Sequence, residues 1–227
     1  MTDLLPDHYE SQYSILDEYL SRYGRFEMGD MSSFTWNRDP KRLLFVLSRY
    51  KAVASMLDDE SHVLEVGCGD AFGSRIVKQF VGELTVSDAD LILINSARKL
   101  ACPPFEFNCV HHDFLVSSLT SESSFTSAFL LDVLEHIPHE EQNQFLTNIN
   151  NSLTKPSKII IGMPSYESQS FASPESLEGH VNCQTKRGLR SSLLEVYNTV
   201  TVFSMNDEVL HTGFDKMSNY LLALCTI

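Results

Sequence analysis

Between His62 and Gly73 the chain reads HVLEVGCGDAFG, and no other segment restricts its folding as much. The apolar run HVLEV has the length and composition of a short buried strand. Gly67 and Gly69 follow it at once. Glycine there permits a tight turn, unusual φ values and a close backbone approach to a ligand. An apolar helical pattern then runs through Ile76 and Val77 to Phe80, so its N-terminus points back at the turn.

The alternation continues downstream. Residues 84–87 read as a second strand with Asp88 at its end, 91–100 as a helix, 105–111 as a third strand and 128–131 as a fourth. Residues 138–153 read as a helix whose first turn carries Glu140 and Glu141, which suits the helix dipole. A fifth strand follows at 158–162. Strands alternating with helices predict βαβ units and a parallel sheet, an α/β fold. After Pro164 the pattern loosens. Residues 165–179, rich in Ser and Glu, read as a mobile loop, 185–196 as a helix, and 199–204 and 220–225 as two more strands. Upstream, Tyr9, Tyr13, Leu16, Tyr19 and Leu20 recur at helical spacing over 8–23, and Pro40 opens a second amphipathic helix. Residues 1–58 are thus read as an N-terminal helical extension and 59–227 as the main domain.

Charge narrows the partners. Seventeen Lys and Arg stand against thirty Asp and Glu, a net charge of −13. Affinity for nucleic acid or for an anionic membrane rests on basic side chains, so neither is the expected partner. Five cysteines, none in CxxC spacing, argue against a zinc ribbon or a disulfide framework. No apolar run approaches the roughly 18 residues of a membrane helix, and MTDLLPDHYE lacks the features of a secretory signal. These features predict a soluble, reduced, cytoplasmic protein with a small-molecule partner, monomeric or homodimeric.

The glycine spacing GxGxxxG is one residue longer than the GxGxxG of nicotinamide-binding turns. Glu65 would also set a negative charge beside a dinucleotide pyrophosphate, whereas an ammonium or sulfonium ligand would welcome it. Glu65-Val-Gly-Cys-Gly69, Asp88, His112-Asp113-Phe114, the run LLDVLEHI over 130–137 and Gly162-Met-Pro-Ser165 occur in order. Over about residues 40–165 this set resembles the class I S-adenosylmethionine-dependent methyltransferases, in the broad group that includes the ubiquinone-biosynthesis O-methyltransferases. One departure is Asp70-Ala-Phe, where many relatives carry a second small residue.

The resemblance implies a Rossmann-like, seven-stranded, mostly parallel sheet with the last strand antiparallel and helices on both faces. It implies S-adenosylmethionine as cofactor, leaving S-adenosylhomocysteine. Glu65, Gly67, Cys68 and Gly69 would hold the methionine part, Asp88 with Ala89 the ribose, and Asp113 with Phe114 the adenine, with Leu131 and Asp132 beside them. Asp39-Pro-Lys-Arg-Leu43 resembles a segment whose arginine meets the methionine carboxylate. Arg42 is the first choice for it and Arg49 the alternative, and Trp36 could close over the cofactor.

Asp132, Glu135 and His136 follow the fourth strand, and in some relatives the matching residues hold a divalent metal; a purely structural role for Glu135 and His136 is the alternative. His136, His180 and His211 are the candidate catalytic residues, with Tyr166 and Asn182 as candidate acceptor contacts. Asp132-Val-Leu-Glu135 stands where nucleic-acid amino-methyltransferases carry (D/N)PP(Y/F), which speaks against methylation of bases. The expected function is methyl transfer to oxygen or nitrogen of a small acceptor. A non-catalytic cofactor-binding partner subunit and, less favoured, a nicotinamide-dependent oxidoreductase are the alternatives.

Overall fold

A computed structural model describes residues 13–57, 62–120 and 125–227. Three helices come first: α1 (Ser14–Tyr23), α2 (Asp30–Arg38) and α3 (Pro40–Met56). Then strands and helices alternate: β1 (His62–Val66), α4 (Ser74–Lys78), β2 (Glu83–Asp88), α5 (Leu91–Leu100), β3 (Asn108–His111), β4 (Phe125–Leu131), α6 (Gln142–Asn150) and β5 (Leu153–Pro164). The chain ends with α7 (Pro174–Gly179), α8 (Lys186–Leu193), β6 (Thr199–Asn206), β7 (Val209–His211) and β8 (Tyr220–Thr226).

The strands form one sheet in the order β3-β2-β1-β4-β5-β8-β6-β7. The first five are mutually parallel. β8 enters antiparallel between β5 and β6, as expected of the last strand. The expected strand count was one short: the described residues hold eight. Asn206 and Val209 close a two-residue hairpin, with Asp207 at φ 49°, and so add β7 to the edge. NDEVLHTGF carries little apolar alternation, so this edge strand left almost no pattern to read.

Every residue of β1 is buried. Because successive side chains point to opposite faces, Val63 joins Tyr50, Val53, Val77 and Ile94 on one side. Leu64 and Val66 join Phe145, Leu146 and Leu189 on the other. α3 is therefore part of the core.

Other expectations need adjustment. The polar stretch before Pro40 contains α2, and the helix expected over 138–153 is confined to Gln142–Asn150. Residues 165–179 are not a loop without structure. They form a 3₁₀ turn, Tyr166–Phe171, and then α7. The hydroxyls of Ser165 and Ser173 cap these by accepting from the N–H groups of Ser168 and Ser176. Ser-rich composition here supplied caps, which is how it came to resemble a loop. The start of the helix read over 8–23 and the boundary at 58/59 lie outside the described residues.

At the opposite end of β1 from the glycine turn, the His62 ring is buried against Phe125, with Nε2 3.1 Å from Thr85 Oγ1. Burial lowers its pKa from the ordinary 6.5, and nearby Glu83 only partly opposes this. The folded state therefore holds this proton less tightly than the unfolded chain. The stabilisation is fully present above about 6.5 and is lost as pH falls below it. Urea unfolding at pH 7.5 and 5.5 should show this loss, and His62→Gln should flatten the difference. An unchanged pH dependence in that variant would remove His62 as its source.

Candidate active site

The loops at the C-terminal ends of β1, β2 and β4 surround two adjoining cavities, of about 610 Å3 and 330 Å3. This is the edge at which parallel sheets bind ligands. The cavities share Met31, Gly67, Gly69, Asp132 and His136.

The glycine turn separates them. Gly67 and Gly69 adopt φ of 73° and 57°. A Cβ on Gly67 would collide with Val133, and one on Gly69 would come within 2.9 Å of Met31 Sδ. Only glycine meets both demands without strain. Asp88 braces the turn: its Oδ2 accepts from Gly69 N at 2.9 Å and its Oδ1 from Asp90 N at 2.8 Å. Asp88, Ala89, Asp113 and Phe114 all line the smaller cavity, as read from sequence. Asp113 Oδ1 accepts from Leu115 N, which leaves its second oxygen available.

Glu65 lies beneath the turn, 2% exposed, and accepts from Tyr50 Oη at 2.9 Å. Burial pushes its carboxyl up to about 8, against the opposing hydroxyls of Ser74 and Tyr50. A cation bound above the turn would restore its charge. Cys68 is packed, its thiol raised far above the usual range by burial and by Glu65. It lines the larger cavity as a small inert side chain.

Leu131 and Asp132 end β4 at the larger cavity. Asp132 takes φ 58°, and its Oδ2 accepts from Arg49 Nη1 at 2.6 Å. The guanidinium also stacks over the Tyr220 ring at 4.0 Å. Burial opposes the Arg49 charge, but Asp132 and Tyr220 outweigh it, and its pKa is raised. Arg42, exposed at the cavity rim, has no ion-pair partner among the described residues.

Behind Asp132, the 3₁₀ turn Leu134–His136 carries Glu135 and His136. Glu135 is 1% exposed, and among the described residues neither carboxylate oxygen has a hydrogen-bond partner. Burial, with Asp132 nearby, drives its carboxyl well above the ordinary range. The Glu135 carbonyl accepts from the N–H groups of Val181 and Asn182, which brings His180 alongside. Ligand atoms of Glu135, His136 and His180 lie within 4.8 Å of one another. This grouping differs from the set read from sequence, in which Asp132 stood in the place of His180. Asp132 is instead committed to Arg49.

Four candidates line neither cavity. His211 Nε2 pairs with Asn206 Oδ1 at 2.7 Å in the β6–β7 hairpin and lines neither cavity. Trp36 and Tyr166 are largely exposed and also line neither. Asn182 is buried and bonded to Gln142 and Gln184, so its amide is structural. His211→Ala and Trp36→Ala should leave turnover within about twofold, as surface changes of up to about 0.5 kcal/mol allow. A larger loss in a steady-state assay would bring either residue back to the site.

Sequence reasoning missed Met31, Tyr50, Tyr220 and Gln169. A signal for Tyr50 was present: Arg42, Val46, Arg49 and Tyr50 form one stripe on α3.

Residues 63–156 match a family model described as a methyltransferase domain. Comparison with curated protein sequences gives no match. Among solved structures, a DhpI–SAH complex aligns at 13% identity with TM-score 0.63, covering 92% of this chain and 93% of that one. N-methyltransferase NodS from Bradyrhizobium japonicum, in complex with S-adenosyl-L-homocysteine, aligns at 15% identity with TM-score 0.61, covering 96% and 98%. Magnesium protoporphyrin IX methyltransferase from Synechocystis, with bound SAH, aligns at 13% identity with TM-score 0.60, covering 95% and 96%. At such identities the likeness shows the fold, the Rossmann-like α/β fold of class I methyltransferases.

Proposed function

We propose that the chain transfers a methyl group from S-adenosylmethionine to a small acceptor that it binds beside Glu135, His136 and His180. One observation carries this reading: two cavities meet at Gly67, Gly69 and Asp132, one suited to an adenosine and the other lined with proton acceptors. The smaller holds Asp88 for the ribose and Asp113 with Phe114 for the adenine. The methionine part crosses the glycine turn above Glu65, with Arg42 at the rim to meet its carboxylate. The acceptor then lies in the larger cavity, against Phe34, Leu43, Val46 and Leu47.

Methyl transfer is an in-line displacement, so holding acceptor and sulfonium in register supplies much of the rate. Two imidazoles beside the Glu135 carboxyl suit an acceptor that must lose a proton, such as a hydroxyl. The donor set of the larger cavity also fits a divalent metal. Among the described residues the buried Glu135 carboxyl has no hydrogen-bond partner, and each histidine is bonded through Nδ1 alone. Glu135, His136 and His180 would hold the ion, and two imidazoles with a carboxylate favour zinc or manganese over magnesium. A divalent cation supplies positive charge that stabilises a deprotonated oxygen. Net charge supports a small acceptor over nucleic acid.

Calorimetric titration with S-adenosylhomocysteine tests the cofactor, and labelled methyl transfer into fractionated cell extract tests the acceptor. Label in the small-molecule fraction is expected. Label confined to protein or nucleic acid would overturn the acceptor class, and binding of NAD without S-adenosylhomocysteine would overturn the whole reading.

A further inference from the structure

We infer that Gln169 is a positioning residue, which holds His180 in the one neutral tautomer that leaves Nε2 as a lone-pair donor. His180 Nδ1 lies 2.8 Å from Gln169 Oε1. The Gln169 amide is itself oriented. Its Nε2 donates to the Ser165 carbonyl at 3.2 Å and to Ser168 Oγ at 3.3 Å. Ser168 Oγ spends its own proton on the Ser165 carbonyl at 2.7 Å, so toward Gln169 it only accepts. Turning the amide over would set Oε1 against the Ser165 carbonyl oxygen. Oε1 therefore faces His180, and an amide oxygen only accepts. Nδ1 of His180 must carry the proton, and Nε2 must not.

His136 obeys the same logic. Its Nδ1 lies 2.9 Å from the Gly179 carbonyl, which also only accepts. Gly179 is close enough that a Cβ there would come within 3.3 Å of the ring. Each ring thus keeps its one lone pair on Nε2, and ligand atoms of the two rings and of the buried Glu135 carboxyl lie within 4.8 Å of one another. Such a cluster can share a cation, which would displace the proton of Glu135, and outer hydrogen bonds of this kind orient ligating histidines. For its purpose this role rests on the cation site proposed above; its geometry does not.

Long-range 1H–15N NMR of the imidazoles, on metal-free protein at pH 8, reads the tautomer directly. In the wild type His180 should be Nδ1-protonated. Gln169→Ala, which removes the fixed acceptor, should shift it towards the Nε2-protonated form. Titration with Zn2+ and Mn2+ should show affinity falling about 10–100-fold in Gln169→Ala. S-adenosylhomocysteine affinity should not move, which separates positioning from general loss of structure. An unchanged His180 tautomer in Gln169→Ala would overturn the inference. Should the wild type bind neither ion while the tautomer still responds, Gln169 keeps its role and the cation site falls.

Discussion

Glu135→Met is expected to give a protein that is both more stable and nearly inactive. Glu135 is 1% exposed, and neither carboxyl oxygen has a hydrogen-bond partner among the described residues. Leaving a buried polar group unsatisfied costs about 1–3 kcal/mol, and methionine fills the same space without it. For a chain of this size that relief raises Tm by on the order of 5 °C, measured by calorimetry with chelator present so that no bound ion offsets it. Turnover should fall at least about 100-fold, the usual scale for losing a group that takes a proton in the transition state. Glu135 lines only the larger cavity, so S-adenosylhomocysteine affinity should hold. A carboxylate kept at a cost to folding is the pattern expected of a functional site. If turnover survives, Glu135 has no part in the chemistry. If Tm falls, its carboxylate is stabilising after all.

What could be read from the sequence depended on distance along the chain. The glycine turn was legible because its demands are local: β1, two positive-φ glycines and Asp88 lie within one βα unit and its next strand. That the leading strands are parallel followed from their alternation with helices, but their order in the sheet did not, and the added β7 escaped because three half-exposed residues make no pattern. The acceptor side is built differently. Arg49 reaches Asp132 across 83 positions, and Gly179 reaches His136 across 43. Nothing local signals such pairings, so Asp132 was grouped with Glu135 and His136 from their shared place after the fourth strand and their resemblance to a metal-holding segment, although its partner is an arginine on α3. His180 was singled out as a candidate, but its place beside Glu135 depends on backbone bonds from 181 and 182 to the Glu135 carbonyl. Gln169 had no signal at all, since glutamine in a Ser-rich stretch looks like any solvated residue.

Asp88→Ala should weaken S-adenosylhomocysteine binding about 100-fold or more. An ionised carboxylate offers about four lone-pair directions. Two are taken by Gly69 N and Asp90 N, which leaves two for two vicinal hydroxyls. Hydrogen bonds to a charged group contribute about 1.5–3 kcal/mol each, so losing both exceeds a hundredfold even at the low end. The same substitution also removes the brace on Gly69, and a drop in affinity alone would not separate the two effects. A cofactor analogue lacking both ribose hydroxyls does separate them, through a double-mutant cycle. If Asp88 holds the ribose, the wild type should lose affinity for that analogue, and Asp88→Ala should bind analogue and parent almost equally. If Asp88 acts only by shaping the turn, the variant should weaken both by the same factor, and the ribose assignment fails. Asp88→Asn sharpens the comparison. It keeps an acceptor for Gly69 N and loses the charge, so its affinity for the parent compound should fall between wild type and Asp88→Ala.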